Sequence, residues 1–175
     1  MKIPILFTLF FLLNCQLVAA QKEQKLSVWY LKDVNSNFTI DSLLKKDKDF
    51  SLLSNNKLSF GHGNSPFWLR ISFKNEDSLA YQKLLEVEYA FLDEVNLFLE
   101  NNGKLVYQSD TLGWKYPYSD RIFKHYNPVF PVIINGRSSQ TAYFRIYRSS
   151  LSMIPPIKVW NEENFYENEI KRKFI

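Results

Sequence analysis

Hydrophobic and polar residues alternate over several short stretches of the chain, which is the pattern of half-buried β-strands. The clearest case is 67–73, where the apolar residues at odd positions point to one face while Trp68 and Arg70 point to the other. Strands are predicted at 26–31, 67–73, 82–89, 93–100, 104–108, 129–134, 141–147 and 152–160. With turn residues between them, these strands indicate an all-β fold, an antiparallel sandwich or barrel.

Residues typical of turns and of sheet edges lie between and within these strands. Asn101-Asn102-Gly103 predicts a hairpin, since Asn and Gly accept the positive φ angles of a tight turn. Asn135-Gly136 predicts a second turn. Pro131 and Pro155-Pro156 indicate that their strands lie at sheet edges. Because proline discourages pairing with another chain, we expect the isolated domain to be monomeric.

Two short helices are predicted. The first spans 39–46, where Thr39 or Asp41 can act as the N-cap and Leu43 and Leu44 supply the apolar side. Residues 161–172 have the composition of a short polar helix or connector. The expected fold is therefore a sandwich with one short helix near the N-terminus and another at the C-terminus.

Fifteen of the first twenty residues are hydrophobic, and this stretch differs from the rest of the chain. The order of features is that of a cleaved secretory signal peptide: the basic residue Lys2, then an apolar run, then the small residues Val18-Ala19-Ala20. The alternatives are a membrane anchor, for which the apolar run is short, and a lipoprotein signal ending at Cys15. We predict a signal peptide at 1–20, an extracytoplasmic domain at 21–160 and a connector at 161–175.

Composition excludes several classes of site. Cys15 is the single cysteine and lies in the predicted signal peptide, so the exported domain has no disulfide and no cysteine-based chemistry. The net charge of +4 is mild and interleaved with acids, which is not the pattern of a nucleic-acid-binding protein. His62 and His125 have no spaced partner residues. We therefore expect no metal site, no cofactor and no nucleic-acid partner.

Catalysis has one candidate arrangement. Glu86 and Glu88 lie on one predicted strand face, with their carboxylates about 7 Å apart, a separation compatible with a glycosidase pair. The other interpretation is a half-exposed strand with alternating polar residues. The chain has no nucleophile-elbow, phosphate-loop or paired-histidine motif, so we expect it not to be an enzyme.

Aromatic and arginine side chains recur on two predicted strand faces. The candidates for ligand binding are Trp68 and Arg70 on one face, Tyr143, Arg145 and Tyr147 on another, and Arg121 in an aromatic loop. If the two faces lie on one side of the sandwich, they form a site for a carbohydrate or a carboxylated ligand, because Arg binds such groups bidentately beside the aromatic rings. The competing interpretation is structural, with the rings in the core and each Arg paired to a glutamate.

The loop at 110–128 carries further aromatic residues. Trp114, Tyr116 and Tyr118 can form an exposed platform, since loops on rigid scaffolds carry many binding residues. Alternatively, the loop folds back and covers one end of the sandwich.

Several motifs, taken in order, resemble one protein family. They are FWLRISFKN at 67–75, LDEVNLF at 92–98 and YFRI at 143–146. They are similar to the type 2 extracellular domain of 7TMR-DISM receptors, bacterial receptors with seven transmembrane helices and diverse intracellular signalling modules. The likeness covers about residues 26–160.

The resemblance implies a jelly-roll-like antiparallel β-sandwich related to carbohydrate-binding modules. It also implies a position outside the inner membrane, ahead of seven helices and a cytoplasmic output module. The chain contains neither of these later parts, so we expect the ligand-sensing front portion of a receptor at the periplasmic face of the inner membrane. Its expected partners are a carbohydrate or small polar ligand, and the membrane through the missing seven-helix region. The alternatives are a secreted binding module and a small glycan-active enzyme.

Overall fold

The computed structural model describes residues 27–45, 50–53, 63–149 and 155–173. The predicted signal peptide and His62 lie outside these residues. The elements, in chain order, are β1 (Val28–Lys32), α1 (Ile40–Lys45), β2 (Ser51–Leu52), β3 (Phe67–Asn75), β4 (Tyr81–Val87), β5 (Glu94–Asn101), β6 (Lys104–Gln108), a 3₁₀ turn (Tyr118–Asp120), β7 (Val129–Ile134), β8 (Ser138–Tyr147), β9 (Ile157–Trp160) and α2 (Glu162–Lys173).

The strands form two antiparallel sheets, which confirms the predicted all-β sandwich. The major sheet has the order β2-β1-β3-β8-β5-β6, and the minor sheet has the order β7-β4-β9. The longest ladder joins β3 to β8, from Phe67 opposite Ile146 to Asn75 opposite Ser138. β7, which contains Pro131, and β9, which follows Pro155-Pro156, both lie at edges of the minor sheet.

Apolar side chains from the inner faces of both sheets fill the space between them. On β3 these are the odd-numbered residues from Phe67 to Phe73, all of them buried. Phe130 of the minor sheet meets Phe144 of the major sheet edge to face, with ring centroids 5.8 Å apart, a favourable geometry for aromatic pairs. The period of two therefore decides which face of each strand is buried in the core.

Helix α1 lies on the outer face of the major sheet. Thr39 Oγ1 accepts a hydrogen bond from the Ser42 N–H at 3.3 Å, and the Thr39 N–H donates to Ser42 Oγ at 3.0 Å. This reciprocal pair is the usual way to satisfy the free donors of a helix N-terminus. Of the two predicted caps, the structure selects Thr39 over Asp41.

Helix α2 lies on the outer face of the minor sheet. Its Phe165 is 1% exposed and packs on Leu84 and Val129, with Phe123 and Trp160 around it. Burial of one Phe side chain contributes about 2–3 kcal/mol. The predicted C-terminal helix is confirmed, and it is held to the sandwich by Phe165 near its start and Arg172 near its end.

Most predicted strands are present with shifted ends. β8 begins at Ser138, three residues before the predicted start, and β9 is shorter than predicted, beginning at Ile157. The two-residue strand β2 was not predicted, because so short a segment has no period to detect. It pairs through Leu52 and Ser51 with Trp29 and Tyr30 of β1.

The two predicted turns are confirmed, but their glycines serve different purposes. In the β5–β6 hairpin, Asn102 and Gly103 have φ angles of 52° and 77°, as the turn type requires. At the β7–β8 turn, the positive φ of 48° falls on Arg137. Gly136 is required there by close approach, since a Cβ atom would lie 2.1 Å from the carbonyl oxygen of Ser78.

Asn75 joins this turn to the neighbouring β3–β4 turn. Its Nδ2 donates to the carbonyl oxygens of Leu79, Ile134 and Asn135 at 2.9, 3.3 and 3.0 Å. Its Oδ1 accepts the N–H of Asp77 at 3.0 Å. Because Asn75 is only 3% exposed, water cannot easily replace these bonds.

Replacing Asn75 with alanine should lower the free energy of unfolding by about 2–3 kcal/mol, because buried carbonyl groups lose their donor. Urea denaturation followed by tryptophan fluorescence measures the change. Exposed Asn35 provides the control, and Asn35→Ala should change stability by less than about 0.5 kcal/mol. An Asn75→Ala protein as stable as the wild type would contradict this role.

Candidate functional site

The register of the major sheet brings five of the six predicted ligand-binding residues to one outer face. Trp68 lies opposite Arg145, and Arg70 lies opposite Tyr143, across the β3–β8 ladder. Tyr147 follows on the same face of β8, opposite Glu94 of β5. The two strand faces therefore belong to one side of the sandwich. The sequence alone left open whether they would share a side.

The centre of this face is covered by the protein itself. Trp68 is 1% exposed and Tyr143 is 7% exposed, because Ile40 and Leu43 of helix α1 pack over them. The Trp68 ring also contacts Phe98, with centroids 5.5 Å apart. These two rings form a second small core, and their faces are not open to a ligand in this structure.

Arg70 lies at the edge of the covered region. Its guanidinium carbon is 4.5 Å from the centroid of the Phe50 ring and 5.5 Å from that of Trp29. Such stacking orients the planar guanidinium group and is worth about 0.5–2 kcal/mol according to exposure. Arg70 thereby joins β3 to β1 and to the residue before β2.

Another part of the face is a group of polar residues, here called the polar margin: Glu94, Asn96, Thr111, Arg145 and Tyr147. Asn96 is 9% exposed, and the other four are half-buried. Arg145 Nη1 lies 3.4 Å from Glu94 Oε2, with about a quarter to a third of each side chain exposed. Asn96 donates to Thr111 Oγ1 at 2.7 Å. Lys115 Nζ lies 5.9 Å from the Tyr147 ring centroid. The polar margin thus has donors, acceptors and a ring.

The structure does not bring Arg121 to the polar margin. Arg121 is 7% exposed and lies in the aromatic loop, where its Nη1 donates to the carbonyl oxygens of His125 and Tyr126. Its guanidinium carbon lies 5.3 Å from the Tyr118 ring centroid. In this position Arg121 fixes the path of the loop.

The aromatic loop combines both conformations that the sequence allowed. Trp114 and Tyr118 are 65% and 53% exposed, so this part of the loop presents aromatic rings to solvent. Phe123 instead folds back onto Phe165 of α2, with ring centroids 5.2 Å apart.

A second constellation lies under α2 on the opposite side of the sandwich. Arg172 donates from Nη1 to Glu86 Oε1 and from Nη2 to Glu88 Oε1, each at 3.0 Å, and to Glu169 Oε1 at 2.7 Å. We call the group of Glu86, Glu88, Glu169 and Arg172 the helix latch. It fixes the C-terminal end of α2 to the C-terminal end of β4.

Glu86 is the buried centre of the helix latch. Its side chain is fully buried, and it also accepts hydrogen bonds from Asn127 Nδ2 at 2.7 Å and Trp160 Nε1 at 2.8 Å. Burial alone would raise the pKa of Glu86, but the bonds from Arg172, Asn127 and Trp160 outweigh burial and hold the pKa below its ordinary value. Partial burial would lower the pKa of Arg172, but its bonds to Glu86 and Glu169 outweigh this and raise the pKa. Glu86 is therefore ionised at neutral pH.

The helix latch resolves the role of the Glu86/Glu88 pair. The two carboxylates share a strand face as predicted, but both bind Arg172, and Glu88 also accepts a bond from Lys158 Nζ at 2.6 Å. Both carboxylates face helix α2 and are bound by Arg172, an arrangement that favours the structural interpretation over a glycosidase pair.

Sequence reasoning missed the helix latch because its partners are far apart along the chain. Arg172 and Glu86 are separated by 86 residues, and no periodicity links them. The available signals were a strand with two outward glutamates and a basic run at 171–173. His125 belongs to the same region, with its Nε2 atom 3.1 Å from Glu169 Oε2.

Replacing Glu86 with glutamine should lower the free energy of unfolding at pH 7 by about 3 kcal/mol, because Arg172 loses the buried one of its three carboxylate partners. Since the pKa of Glu86 is depressed on folding, its contribution is present above the unfolded-state pKa of about 4.3 and is lost as pH falls through the folded-state pKa.

Urea denaturation between pH 7 and pH 3 measures both effects. The stability of Glu86→Gln should fall less steeply below about pH 4 than that of the wild type. Glu76→Gln is the control, since Glu76 pairs with Lys74 at the surface, with both side chains more than half exposed, and such pairs contribute little. Parallel pH profiles for the wild type and Glu86→Gln would refute the assignment.

The model of the family described as 7TMR-DISM extracellular 2 matches residues 25–161, nearly the whole sandwich. No curated protein matches the chain at a significant level. Among the residues that the structure describes, no helix is long and apolar enough to cross a membrane. The chain belongs to the 7TMR-DISM extracellular 2 family, whose domains lie outside the cytoplasm.

Proposed function

We propose that this domain is the ligand-sensing portion of a bacterial membrane receptor and that it binds a carbohydrate or a small carboxylated ligand at the polar margin. Residues 1–20 direct its export, and the domain works at the periplasmic face of the inner membrane, ahead of a seven-helix region. The observation that carries the site is the half-exposed Arg145 beside Tyr147 on the outer face of the major sheet.

The chemistry of the polar margin suits such a ligand. Arg145 offers a planar pair of donors to a carboxylate or to adjacent hydroxyl groups. Glu94 supplies acceptors for further hydroxyl groups, and Asn96 orients the hydroxyl group of Thr111. The Tyr147 ring offers an apolar face against which the C–H groups of a sugar can pack. Trp68 and Tyr143 lie beside this site on the same face of the sheet, where they pack against α1.

The present partner of Arg145 is easily displaced. The Arg145–Glu94 contact is 3.4 Å long, with only 26% and 31% of the two side chains exposed, and ion pairs that water still reaches are worth only about 0–1 kcal/mol. A ligand carboxylate can therefore replace Glu94 at the guanidinium group at little energetic cost. Such an exchange would release Glu94, which begins β5.

The β4–β5 connection gives ligand binding a route to α2. Glu88, bound by Arg172 of the helix latch, and Glu94, bound by Arg145, lie at the two ends of this connection. Five residues, 89–93, separate them. We propose that release of Glu94 shifts this connection and alters how firmly the helix latch holds α2.

Ligand binding is tested by thermal shift and calorimetry with a panel of neutral sugars, uronic acids and small dicarboxylates. Arg145→Ala should weaken binding of the active ligand by about tenfold or more, because a charged hydrogen bond contributes roughly 1.5–3 kcal/mol. Lys74→Ala removes the same charge from an exposed position on the same face and should bind like the wild type.

Two results would contradict the proposal. The first is a panel in which no ligand binds the wild type. The second is an Arg145→Ala protein that binds the active ligand as tightly as the wild type and Lys74→Ala.

A further inference from the structure

One end of the sandwich presents a cluster of exposed aromatic side chains. Phe91 and Trp114 are each 65% exposed, and Tyr116 is 36% exposed. Tyr89 packs edge to face on Phe91, with ring centroids 6.5 Å apart. We call these four residues, together with Lys115 and Arg148, the aromatic tip. Adjacent exposed aromatic residues with cations beside them are typical of a surface that meets a partner.

The loops of the aromatic tip are held together by buried contacts. The Trp114 N–H donates to the carbonyl oxygen of Leu92 at 2.8 Å. Gly113, with a φ angle of 153°, allows this approach, since a Cβ atom there would lie 2.2 Å from the carbonyl oxygen of Asp93. The backbone segments that carry Phe91 and Trp114 are therefore joined to each other at this end of the sandwich.

Asp93 adds a third loop to this framework. It is 6% exposed, and its Oδ2 accepts hydrogen bonds from the Ser149 N–H at 2.9 Å and Ser149 Oγ at 3.1 Å. Lys115 Nζ lies 3.7 Å from the same oxygen. The backbone bond from Ser149, together with its hydroxyl and Lys115, holds the pKa of Asp93 below its ordinary value. The tip is thus preorganised around a buried charge.

Two cations stand among the exposed rings. Arg148 stacks on Tyr89, with its guanidinium carbon 5.0 Å from the ring centroid, and Lys115 is about half exposed. Aromatic residues with adjacent Lys or Arg suit the boundary between lipid headgroups and acyl chains, where the rings enter and the cations meet phosphate groups. A purely apolar protein partner would not require these cations.

The C-terminal end of α2 points toward the aromatic tip. Phe165 in the first turn of α2 packs on Leu84, whereas Arg172 in its last turn binds Glu88, so the helix runs along β4 toward the tip. Glu88 is adjacent in sequence to Tyr89. Exposed Lys171 and Lys173 lie in the same last turn of α2.

We infer that the aromatic tip docks on the surface of a lipid bilayer containing anionic headgroups, so that the sensor rests against the membrane that follows it. Phe91 and Trp114 would enter the interfacial layer, and Lys115 and Arg148 would contact lipid phosphates. This inference rests on the proposed receptor function for the orientation of the domain. The aromatic rings of the tip lie outside the polar margin, and the two surfaces meet where Lys115 approaches the Tyr147 ring.

Co-sedimentation with vesicles tests the inference. The full chain should sediment with vesicles of phosphatidylethanolamine and phosphatidylglycerol, and less with phosphatidylcholine alone. The double variant Phe91→Ser/Trp114→Ser should lower the partition coefficient about tenfold or more, since two aromatic side chains leave the interface. Because all variants share residues 1–20, only differences between them report on the tip.

The matched control removes two exposed apolar residues elsewhere. Leu79 and Ile133 are 77% and 60% exposed and lie toward the opposite end of the sandwich, so Leu79→Ser/Ile133→Ser should sediment like the wild type. A separate variant, Lys115→Gln/Arg148→Gln, should bind the anionic vesicles more weakly than the wild type does. Its binding to phosphatidylcholine vesicles should be unchanged. Circular dichroism checks that each variant is folded. If Trp114→Ser disturbs the loop, the single variant Phe91→Ser replaces the double variant in the sedimentation experiment.

The outcomes separate this inference from the proposed ligand site. A tip variant that sediments like the wild type, or a wild type that does not sediment, would overturn membrane docking. The ligand panel, repeated on the tip variant, should give wild-type binding. A domain that binds its ligand but not vesicles refutes only the docking, and one that binds vesicles but no ligand refutes only the polar margin.

Discussion

The pairing of β3 with β8 is the constraint on which the rest of the structure depends. It is the longest ladder, and it fixes in one register the inward Leu69 and Phe144 and the outward Trp68 and Tyr143. A slip of one residue would exchange the two faces of a strand. The same register leaves large aromatic rings on the outer face, and these require a cover, which helix α1 supplies.

The two helices cover the outer faces by different physical means. α1 is held mainly by apolar contacts with Trp68 and Phe98. α2 buries only Phe165 among its own residues and depends also on Arg172 reaching the buried Glu86. A buried carboxylate is strongly destabilised when its partner leaves, so the end of α2 is either docked or released as a unit. A helix held in this way is suited to report a small displacement of the strand beneath it.

The sequence predicted the strands well because alternation is a local property, and 104–108 and 129–134 are strands with the predicted bounds. It placed Trp68, Arg70, Tyr143, Arg145 and Tyr147 on two faces but could not show that α1 would bury two of them. It could not connect Glu86 to Arg172 either, since that contact arises only when α2 folds back over the minor sheet. Gly136 was recognised as a turn residue, but its close approach to Ser78 belongs to another turn.

The motifs that resemble the family are largely scaffold in this structure. Asn75 connects two turns by hydrogen bonds. Asp93 connects three loops through its contacts with Ser149 and Lys115, and Trp68 packs against a helix. Residues with such roles are constrained by packing and hydrogen bonds whatever the ligand is. Specificity must then reside in side chains that the scaffold positions but does not bury. The polar margin and the aromatic tip are surfaces of this kind, and the β4–β5 connection, which carries Glu88, Phe91 and Glu94, links both of them to the helix latch.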